Sequence, residues 1–324
     1  MLGLMIKKYG VAALIGDTGY VGGNLVGQVG FDRTYNSRTV AQIAGERFDL
    51  VVCAGVRAAM WAANGDPAAD LAGIHALEEA LATAHVGVLV HISTTYVLDD
   101  VSAGYVESTA RYEEVKAYGR HRRELEVRLQ ERYGATVIRL PALFGPGLRK
   151  NFVFDLMNPA PAFLRPAAWA RIEGDASSAT LGVFRRAYAW DEALQVHRLD
   201  REAFAGLDGR GEAERELRDL GLAATSFTNG ASRFQYYDIG RLAGDIGRCL
   251  DAGLGVAHLC PEGVRASEVA EVLTGAPFVN GGPAAVDEDV RTEHAAILGG
   301  AGGYLYGRDD VFARLRAYRD GGRP

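Results

Sequence analysis

Cysteine is scarce in this chain of 324 residues, and the cysteines present form no motif. Cys53, Cys249 and Cys260 lie far apart or lack the spacing of metal ligands, and the sequence contains neither Cys-x-x-Cys nor His-Glu-x-x-His. A small, odd set of cysteines is typical of a reducing compartment and argues against a disulfide framework. We therefore expect a cytoplasmic protein without a metal site.

Long apolar runs and an excess of positive charge are also missing. The longest uncharged segment, Ala80 to Leu98, contains two histidines and is better explained by a helix end and a buried strand than by a membrane span. The net charge is −6, and no basic stretch resembles a phosphate-binding surface. The predicted partners therefore include neither nucleic acid nor a membrane. The composition, with 48% hydrophobic residues, is that of an ordinary globular protein.

Short apolar runs alternate with helical patterns in the first half of the chain. Strands and helices in this alternation build βαβ units with right-handed crossovers. The sequence therefore predicts an α/β fold with a doubly wound parallel sheet. Buried strands are predicted at Val11–Ile15, Leu50–Cys53, Val86–Ile92 and Thr136–Leu140, and helices at Tyr20–Val29, Pro67–Ala84 and Tyr118–Tyr133.

The second half of the chain changes character and then returns to the first pattern. We predict a first domain over residues 1–150 and a smaller lobe over residues 151–324, with residues 234–260 returning to the sheet of the first domain. The returning elements are a strand at Phe234–Tyr237, a helix at Ile239–Leu250 and a strand at Val256–Cys260, and a closing helix is predicted at Asp309–Arg319.

A glycine-rich segment, Gly16-Asp17-Thr18-Gly19-Tyr20-Val21-Gly22, lies between the first predicted strand and the first predicted helix. Glycine at these positions permits positive φ, close approach of the backbone to a pyrophosphate and tight packing of helix on strand. The free N–H groups and the dipole of the helix N-terminus favour phosphate there. This context predicts a Rossmann-type dinucleotide site. Asp17 fits it only if its carboxylate points away from the pyrophosphate.

The end of the second predicted strand distinguishes between two cofactors. An acidic residue there would hold the 2′-hydroxyl of the adenine ribose of NAD. The sequence instead has Asn36, Ser37 and Arg38. Arg38 can pair with a 2′-phosphate and Ser37 can donate to it, so NADP is favoured over NAD.

These features resemble the extended branch of the short-chain dehydrogenase/reductase superfamily, which includes sugar-nucleotide epimerases, dehydratases and reductases. The resemblance covers most of the chain and thins between about Pro159 and Thr225. Besides the glycine loop, it rests on the strand end His91-Ile92-Ser93-Thr94-Thr95-Tyr96-Val97, the helix start Tyr118-Gly119-Arg120-His121-Arg122, the loop from Arg139 to Gly147, and the segment Arg233-Phe234-Gln235-Tyr236-Tyr237-Asp238.

The resemblance implies roles for individual residues. Tyr118 is the expected acid and base, Thr94 orients the reacting oxygen, and Arg122 lies under the tyrosine ring and holds the cofactor ribose. Substrate contacts are expected from Thr95, Tyr96, Asn151 and Arg233, with Arg233 on a phosphate. Cofactor contacts are expected from Gly16, Thr18, Gly19, Tyr20, Val21, Gly22, Asn36, Ser37, Arg38, Cys53, Ala54, Gly55, Tyr118, Arg122, Pro141 and Leu143.

Two departures concern the tyrosine motif of the family. Arg122 replaces the usual lysine of Tyr-x-x-x-Lys, and an arginine supplies charge but cannot relay a proton. A literal Tyr-x-x-x-Lys occurs from Tyr112 to Lys116, but it precedes the predicted helix and lacks the following glycine. Tyr118 is therefore preferred, with Tyr112 as the alternative. Asp70, where many relatives have asparagine, is interpreted as a capping or solvated residue of its helix.

The histidines and Cys53 receive mainly structural interpretations. His91 and His258 are predicted to be strand histidines whose ring nitrogens have hydrogen-bond partners. Cys53 is predicted to be a buried apolar residue. His121, beside Tyr118, is interpreted as structural, with a substrate contact as the alternative.

The sequence as a whole predicts an NAD(P)-dependent enzyme that acts on a nucleotide-linked sugar by epimerisation or ketoreduction through a keto-sugar. Family dehydratases have acidic residues at the positions of Thr95 and Tyr96, and neither residue is acidic here. An atypical dehydratase or decarboxylase remains an alternative. A non-catalytic NADP-binding scaffold or sensor is another. A homodimer is predicted because the tyrosine helix of relatives packs across a two-fold axis and Leu125, Val127 and Leu129 offer apolar surface on it.

Overall fold

A parallel sheet forms the centre of the larger of two units in the computed structural model, which describes residues 8–321. Its strands are short and are separated along the chain by helices, as the alternating sequence pattern predicts. The strands are β1 (Ala12–Ile15), β2 (Arg33–Tyr35), β3 (Arg47–Cys53), β4 (His85–Thr94), β5 (Thr136–Leu140), β6 (Ala142–Phe144), β7 (Phe163–Leu164), β8 (Tyr188–Asp191), β9 (Val196–Leu199), β10 (Arg233–Phe234), β11 (Tyr236–Asp238), β12 (Val256–His258) and β13 (Val264–Arg265).

The helices of the described residues are of moderate length, and none is long and apolar enough to cross a membrane. Short 3₁₀ turns occur at Val40–Ile43, Thr95–Val97, Ala224–Phe227 and Ile239–Arg241. The α-helices are α1 (Tyr20–Gln28), α2 (Met60–Gly65), α3 (Pro67–Ala82), α4 (Ala117–Tyr133), α5 (Phe152–Met157), α6 (Pro166–Asp175), α7 (Ser178–Ala187), α8 (Arg201–Ala205), α9 (Arg210–Asp219), α10 (Leu242–Asp251), α11 (Ala266–Thr274) and α12 (Arg308–Arg319).

The central sheet has the strand order β12-β5-β4-β3-β1-β2, and all of its neighbouring strands are parallel. Strand order reverses between β1 and β3, because the chain goes outward from β1 to β2 and then continues on the other side of β1. Ligands of open α/β sheets bind at the carboxyl ends of the strands at such a switch point. The predicted doubly wound parallel sheet is confirmed.

The core of this unit lies between the sheet and the helices α3 and α4. Every residue of β1 and of β5 is buried, as expected for strands covered on both faces. Leu81 of α3 and Leu125 and Leu129 of α4 pack in the same apolar cluster as β1, β3 and β4. The prediction that Leu125 and Leu129 offer surface for a dimer is therefore wrong, because both side chains are buried within the chain.

The chain divides into two units. Among the described residues, the first comprises residues 8–148, 234–264 and 287–321, and the second comprises residues 149–233 and 265–286. Relative to the prediction, residues 261–264 and 287–321 join the first unit, and residues 149–150 join the second. The second unit has its own apolar core, in which Trp169 and Phe184 are buried, beside the antiparallel order β7-β9-β8.

Two predicted elements differ in detail from the structure. The strand predicted at Phe234–Tyr237 is split into β10 and β11. Neither returns to the central sheet as predicted, because β10 pairs with β13 and β11 pairs with β6; of the predicted returning strands, only β12 joins it. The helix predicted at Ile239–Leu250 begins as a 3₁₀ turn and becomes α-helical only at Leu242. The reason is the Asp238 side chain, which accepts a hydrogen bond from the N–H of Gly240 at 2.9 Å and so favours a tight local turn.

Candidate active site

The glycine loop makes a close backbone crossing at the switch point of the sheet. Gly16 has φ +100°, and a Cβ placed on it would lie 2.4 Å from the carbonyl oxygen of Ala54 after β3. A Cβ on Gly22 would lie 2.1 Å from the carbonyl oxygen of Gly16. The N–H of Gly16 donates to the carbonyl oxygen of Tyr35 at 2.6 Å, so the loop also contacts the end of β2. Only glycine fits at positions 16 and 22.

The residues present fit a dinucleotide pyrophosphate. Gly19 is the N-cap of α1; no side chain caps the helix there, and its first turn contains no acidic residue. The backbone N–H groups at this end are therefore available to an anion. One carboxylate oxygen of Asp17 is buried and has no hydrogen-bond partner among the described residues. Thr18, by contrast, is exposed on the loop.

Gly22→Ala is expected to lower the free energy of unfolding by about 1–3 kcal/mol, because the new methyl group overlaps the Gly16 carbonyl. It should also weaken NADPH binding, because the loop must shift. Gly27→Ala is the matched control in the same helix, since a Cβ there meets nothing within 4 Å. That control should stabilise the protein by about 0.5–1 kcal/mol. Urea unfolding and a fluorescence titration with NADPH measure both effects, and equal behaviour of the two variants would contradict the prediction.

The end of β2 leads into the segment Asn36-Ser37-Arg38, which contains no acidic residue that could hold the ribose of NAD. Asn36 accepts a hydrogen bond from the N–H of Arg38 at 3.0 Å, and the Ser37 and Arg38 side chains are exposed beyond β2. Cys53 ends β3 fully buried, and burial raises the pKa of its thiol to about 11, as expected for a structural cysteine. Ala54 and Gly55 follow it at the switch point.

Arg38→Ala is expected to weaken NADP binding by about 1–3 kcal/mol and to leave NAD binding nearly unchanged, because only NADP carries a phosphate to which the guanidinium can bind. Arg33→Ala, at the exposed start of β2, is the control. The two dissociation constants are measured by titration with each cofactor. Equal losses for NADP and NAD would refute a phosphate contact.

Thr94 and Tyr118 come together at the carboxyl end of β4. Tyr118 lies in the first turn of α4, only 8% exposed, and the Thr94 side chain beside its phenol acts to lower the pKa that burial raises. The N–H of Tyr118 donates to Asn64 of α2 at 2.9 Å, so a side chain outside α4 satisfies one of its free N–H groups. A Cβ on Gly119 would lie 2.3 Å from the Tyr96 carbonyl oxygen, which explains the glycine after the tyrosine.

Arg122 lies under the Tyr118 ring, with its Cζ 3.8 Å from the ring centroid. Its four terminal N–H groups all donate within the chain, two to Asp70 and one each to the carbonyl oxygens of Tyr118 and Arg57. A ribose contact would have to replace one of these bonds or use Nε. That contact therefore remains a prediction.

Asp70 does not cap or solvate its helix. The N-cap of α3 is Asp66, whose side chain accepts the N–H of Ala69 at 3.0 Å. Asp70 instead forms a buried pair with Arg122 and accepts Nδ1–H of His121 at 2.9 Å. The earlier interpretation of Asp70 is therefore wrong. His121, 3% exposed and bonded to Asp70, has a structural partner. The sequence did contain a signal for this pair, because Asp70 and Arg122 both depart from the residue that is usual in the family.

Tyr112 and Lys116 lie outside α4, which begins at Ala117. The Tyr112 ring faces the guanidinium of Arg123 at 4.0 Å and that of Arg139 at 5.5 Å. The ammonium group of Lys116 lies 3.7 Å from Glu113. The literal motif thus does not combine its tyrosine and lysine as one helix face would.

A cleft beside Tyr118, open to solvent, has a volume of about 110 Å³. Tyr96 lines it, whereas Thr95 is buried. The Tyr96 hydroxyl donates to the buried carboxylate of Glu288 at 2.8 Å, and burial raises the pKa of Glu288. Sequence reasoning missed Glu288 because it lies 192 positions from Tyr96 and belongs to no motif. The other residues around the cleft are Met60, Asn64, Leu98, Asp99, Val101, Glu113, Lys116 and Gly119.

A buried charge network underlies α4. Arg139, fully buried on β5, donates to both oxygens of Glu126 at 3.1 and 2.6 Å. Glu126 also accepts the Ser93 hydroxyl at 2.6 Å. Burial raises the pKa of Glu126, but the bonds from Arg139 and Ser93 outweigh it and hold the pKa below its ordinary value. His258 accepts from Arg139 and donates to a backbone carbonyl, so its predicted satisfied state is confirmed.

His91 does not have the predicted hydrogen-bond partners. Both ring nitrogens are buried and unpartnered among the described residues. His91 and Ser93 point to the same face of β4, toward α4, because side chains two apart share a face. Burial lowers the pKa of His91 to about 4. The lack of partners for the His91 ring could not be predicted, because the strand pattern does not reveal which side chains cover it.

This histidine makes the fold sensitive to acid. The unfolded chain binds a proton at His91 below about pH 6.5, whereas the folded chain does so only near pH 4. Stability therefore falls as the pH drops from 6.5 to 4, by about 3 kcal/mol from this group alone. His91→Leu should remove that part of the slope, as measured by urea unfolding across this range. An identical slope in His91→Leu would show that another group is responsible.

The remaining predicted ligand residues fall in both units. Pro141 is buried and Leu143 lies in β6 of the first unit. Asn151 belongs to the second unit, where its side chain caps α5 by accepting the N–H of Phe154 at 3.2 Å, at a φ of +96°. Arg233 ends the second unit, and its N–H donates to the Val286 carbonyl oxygen at 2.8 Å.

Glu107, Glu293 and His294 place potential metal-ligand atoms within 4.8 Å of one another. Both oxygens of Glu107 already accept hydrogen bonds, from the N–H of His258, the hydroxyl of Thr292 and the N–H of Glu293. These bonds hold the loop at residues 292–294 against β12. The absence of a metal site remains a prediction.

Comparisons with known proteins agree with the geometry of the first unit. Residues 16–163 match the family model of the RmlD substrate binding domain. No curated protein sequence matches the chain. RMD from Pseudomonas aeruginosa, solved with NADPH, is 17% identical, with a TM-score of 0.60 over 96% of this chain and 98% of that chain.

Two further solved structures have the same fold. The dTDP-4-dehydrorhamnose reductase from Yersinia enterocolitica is 12% identical, with a TM-score of 0.58 over 96% of this chain and 99% of that chain. The UDP-N-acetylglucosamine 4-epimerase from Methanobrevibacter ruminantium is 10% identical, with a TM-score of 0.57 over 96% and 97%. The predicted resemblance is confirmed: the chain has the fold of the extended short-chain dehydrogenase/reductases and matches the RmlD substrate binding domain over residues 16–163.

Proposed function

We propose that this protein is an NAD(P)-dependent enzyme that converts a nucleotide-linked sugar by ketoreduction or by epimerisation through a keto-sugar. The observation that carries the proposal is the juxtaposition of Thr94 with Tyr118, whose phenol lies on the wall of a cleft in the unit that contains the glycine loop. Hydride transfer at a carbon needs a proton donor or acceptor within reach of the attached oxygen. A tyrosine and a threonine hydroxyl at one point can hold that oxygen.

The chain would hold the dinucleotide through the glycine loop and the N-terminus of α1, with Arg38 favouring NADP. When bound, the nicotinamide gives or takes the hydride. Tyr118 exchanges the proton, Thr94 orients the oxygen, and Arg122 stabilises the phenolate from beneath the ring. Tyr96 forms part of the wall against which the sugar packs.

The nucleotide-sugar substrate is proposed from the chemistry of the relatives and from two residues of the second unit. The similar solved proteins include enzymes named for dTDP- and UDP-linked sugars. Arg233 supplies a guanidinium suited to bidentate contact with a diphosphate. Asn151, in a backbone conformation that is costly for a non-glycine residue, is a candidate substrate contact. A cytoplasmic location and a homodimer also remain predictions.

The proposal is tested by what the purified protein carries and converts. Mass spectrometry of the small molecules released on denaturation would identify bound cofactor and nucleotide sugar. Purified protein is then incubated with NADPH and nucleotide-linked keto-sugars, and with nucleotide sugars and NAD(P). Oxidation of NADPH or inversion at one sugar carbon is the expected result. Cofactor binding without turnover of any nucleotide sugar would favour the non-catalytic scaffold or sensor.

Elimination of water is the second candidate reaction, and Glu288 is the observation that favours it. Its carboxylate is bonded to Tyr96 on the cleft wall, and burial raises its pKa, as suits a group that exchanges protons near neutral pH. An accumulating keto-deoxy sugar, detected by mass, would identify this reaction. Its loss in Glu288→Gln, with ketoreduction retained, would assign the acid.

A further inference from the structure

Asp70 and Arg122 form a buried, two-pronged ion pair between α3 and α4. Each oxygen of Asp70 accepts a hydrogen bond from a different terminal nitrogen of Arg122, both at 3.1 Å. The two side chains are 7% and 4% exposed. Such a pair is held by its geometry, because a buried arginine left without its carboxylate is costly. The guanidinium therefore has one orientation.

That orientation places the Arg122 cation against Tyr118. The Arg122 Cζ lies 3.8 Å from the centre of the Tyr118 ring, and the Asp70 carboxylate is paired with the same guanidinium. Burial raises the pKa of Tyr118 most. Arg122 and Thr94 lower it, and the charge of Asp70, the smallest of these contributions, raises it again. Tyr118 thus faces a charge pair instead of a free cation.

We infer that Asp70 is a positioning residue that fixes Arg122 under Tyr118 and cancels part of its charge, so that Tyr118 enters the reaction as a proton donor and the site favours reduction of a keto group. The inference rests on the proposed function for its reaction, but its statement about charge concerns this chain alone. An arginine without a nearby carboxylate would favour the phenolate and hence oxidation of a hydroxyl.

The reaction balances as a two-electron reduction. The Oη–H bond of Tyr118 breaks, and its proton forms the new O–H bond on the carbonyl oxygen. The carbonyl carbon accepts the hydride of a reduced nicotinamide, so the sugar is reduced and the nicotinamide oxidised. The phenolate left on Tyr118 is held by Thr94 and Arg122 until water returns the proton.

Other charged or titratable groups face this site and must be separated from Asp70. His121 shares the Asp70 carboxylate, and neutral His91 lies near Arg122 on β4. Tyr96 interacts electrostatically with Tyr118 across the cleft. The cleft wall also carries Asp99, Glu113 and Lys116. A substitution that changes one charge only at position 70 leaves all of these in place.

Asp70→Asn is the test, because it keeps the shape of the side chain and removes its charge. Glu78→Gln is the matched control: Glu78 also joins α3 to α4 by two bonds to one arginine, Arg128, at 2.6 and 2.9 Å. The phenol of Tyr118 is titrated without substrate by the ¹³C resonance of labelled tyrosine, assigned with Tyr118→Phe. Asp70→Asn should increase the phenolate fraction at a fixed alkaline pH by roughly tenfold or more, and Glu78→Gln should not.

The pH profile of ketoreduction is the second measurement. Its alkaline limit should move to lower pH in Asp70→Asn, since reduction needs the protonated phenol, and should stay in place in Glu78→Gln. An unchanged Tyr118 titration in Asp70→Asn overturns the inference whatever the activity. A shifted titration without turnover of any nucleotide sugar supports the charge role of Asp70 and refutes the proposed function.

The double variant Asp70→Asn with Arg122→Gln keeps the inference falsifiable if Asp70→Asn does not fold. It replaces a charge pair by a neutral hydrogen-bonded pair. If Asp70 cancels part of the Arg122 charge, the phenolate fraction of Tyr118 should lie well below that of Asp70→Asn and only moderately below that of the parent protein. A much smaller phenolate fraction than in the parent would show that Arg122 acts as an uncompensated cation and would overturn the inference.

Discussion

Tyr118→Phe is expected to bind cofactor normally, to remain folded and to lose turnover by roughly 10²–10⁴-fold, the usual worth of a general acid or base. The substitution removes one oxygen and leaves the ring, which is 8% exposed and stacks on Arg122. The loss should therefore fall on kcat and leave the substrate KM nearly unchanged. Steady-state kinetics and a cofactor titration separate the two effects.

Tyr112→Phe is the matched control for this variant. Tyr112 precedes α4, and its ring faces Arg123 and Arg139, so the same loss of a hydroxyl should change turnover little. A cost in stability of at most about 1 kcal/mol is expected, because the Tyr112 hydroxyl interacts with the Arg139 guanidinium. If Tyr112→Phe were inactive and Tyr118→Phe active, the site would be misassigned. If neither lost activity, the enzyme proposal itself would fail.

Arg139→Met is expected to lower the free energy of unfolding by about 3–5 kcal/mol, because it leaves Glu126 buried with less charge compensation. Arg139 and Glu126 are among the most deeply buried charged side chains of the described residues, at 0% exposure each. Ser93 and Arg123 remain as partners of the carboxylate, so the loss should not be total. Urea unfolding followed by circular dichroism measures it.

Arg111→Met provides the comparison, since Arg111 pairs with Asp99 at 3.1 Å while 68% exposed. Such an exposed pair contributes little to stability, because water and salt screen its charges. Adding Glu126→Gln to Arg139→Met should recover part of the stability, because it removes the orphaned charge. Equal losses in Arg139→Met and Arg111→Met would show that burial does not govern the network.

The sheet, the glycine loop and the meeting of Thr94 with Tyr118 follow from local patterns in the sequence. Strands buried on both faces have continuous apolar runs, and their carboxyl ends meet at one edge. The spacing of Gly16, Gly19 and Gly22 predicts the turn, because the turn requires glycine at these positions. For these features, neighbours along the chain carry the information.

The partners of buried charges could not be predicted in the same way. Glu288 reaches Tyr96 across 192 positions, and His258 reaches Arg139 across 119. No periodicity joins such residues, because packing of side chains decides which of many charges meet. His91 shows the converse, since its strand was predicted and the lack of any partner for its ring was not.

The helix that carries Tyr118 is anchored on two sides by charge pairs. Asp70 and Glu78 tie α4 to α3, and Glu126 ties it to β5 through Arg139. A local opening of α4 would have to break these pairs together, and two of them are buried, so we expect the opening to be costly. We therefore expect the tyrosine to stay in place during catalysis. The reacting oxygen must be delivered to a fixed hydroxyl, and discrimination among substrates falls to the parts of the chain that deliver it.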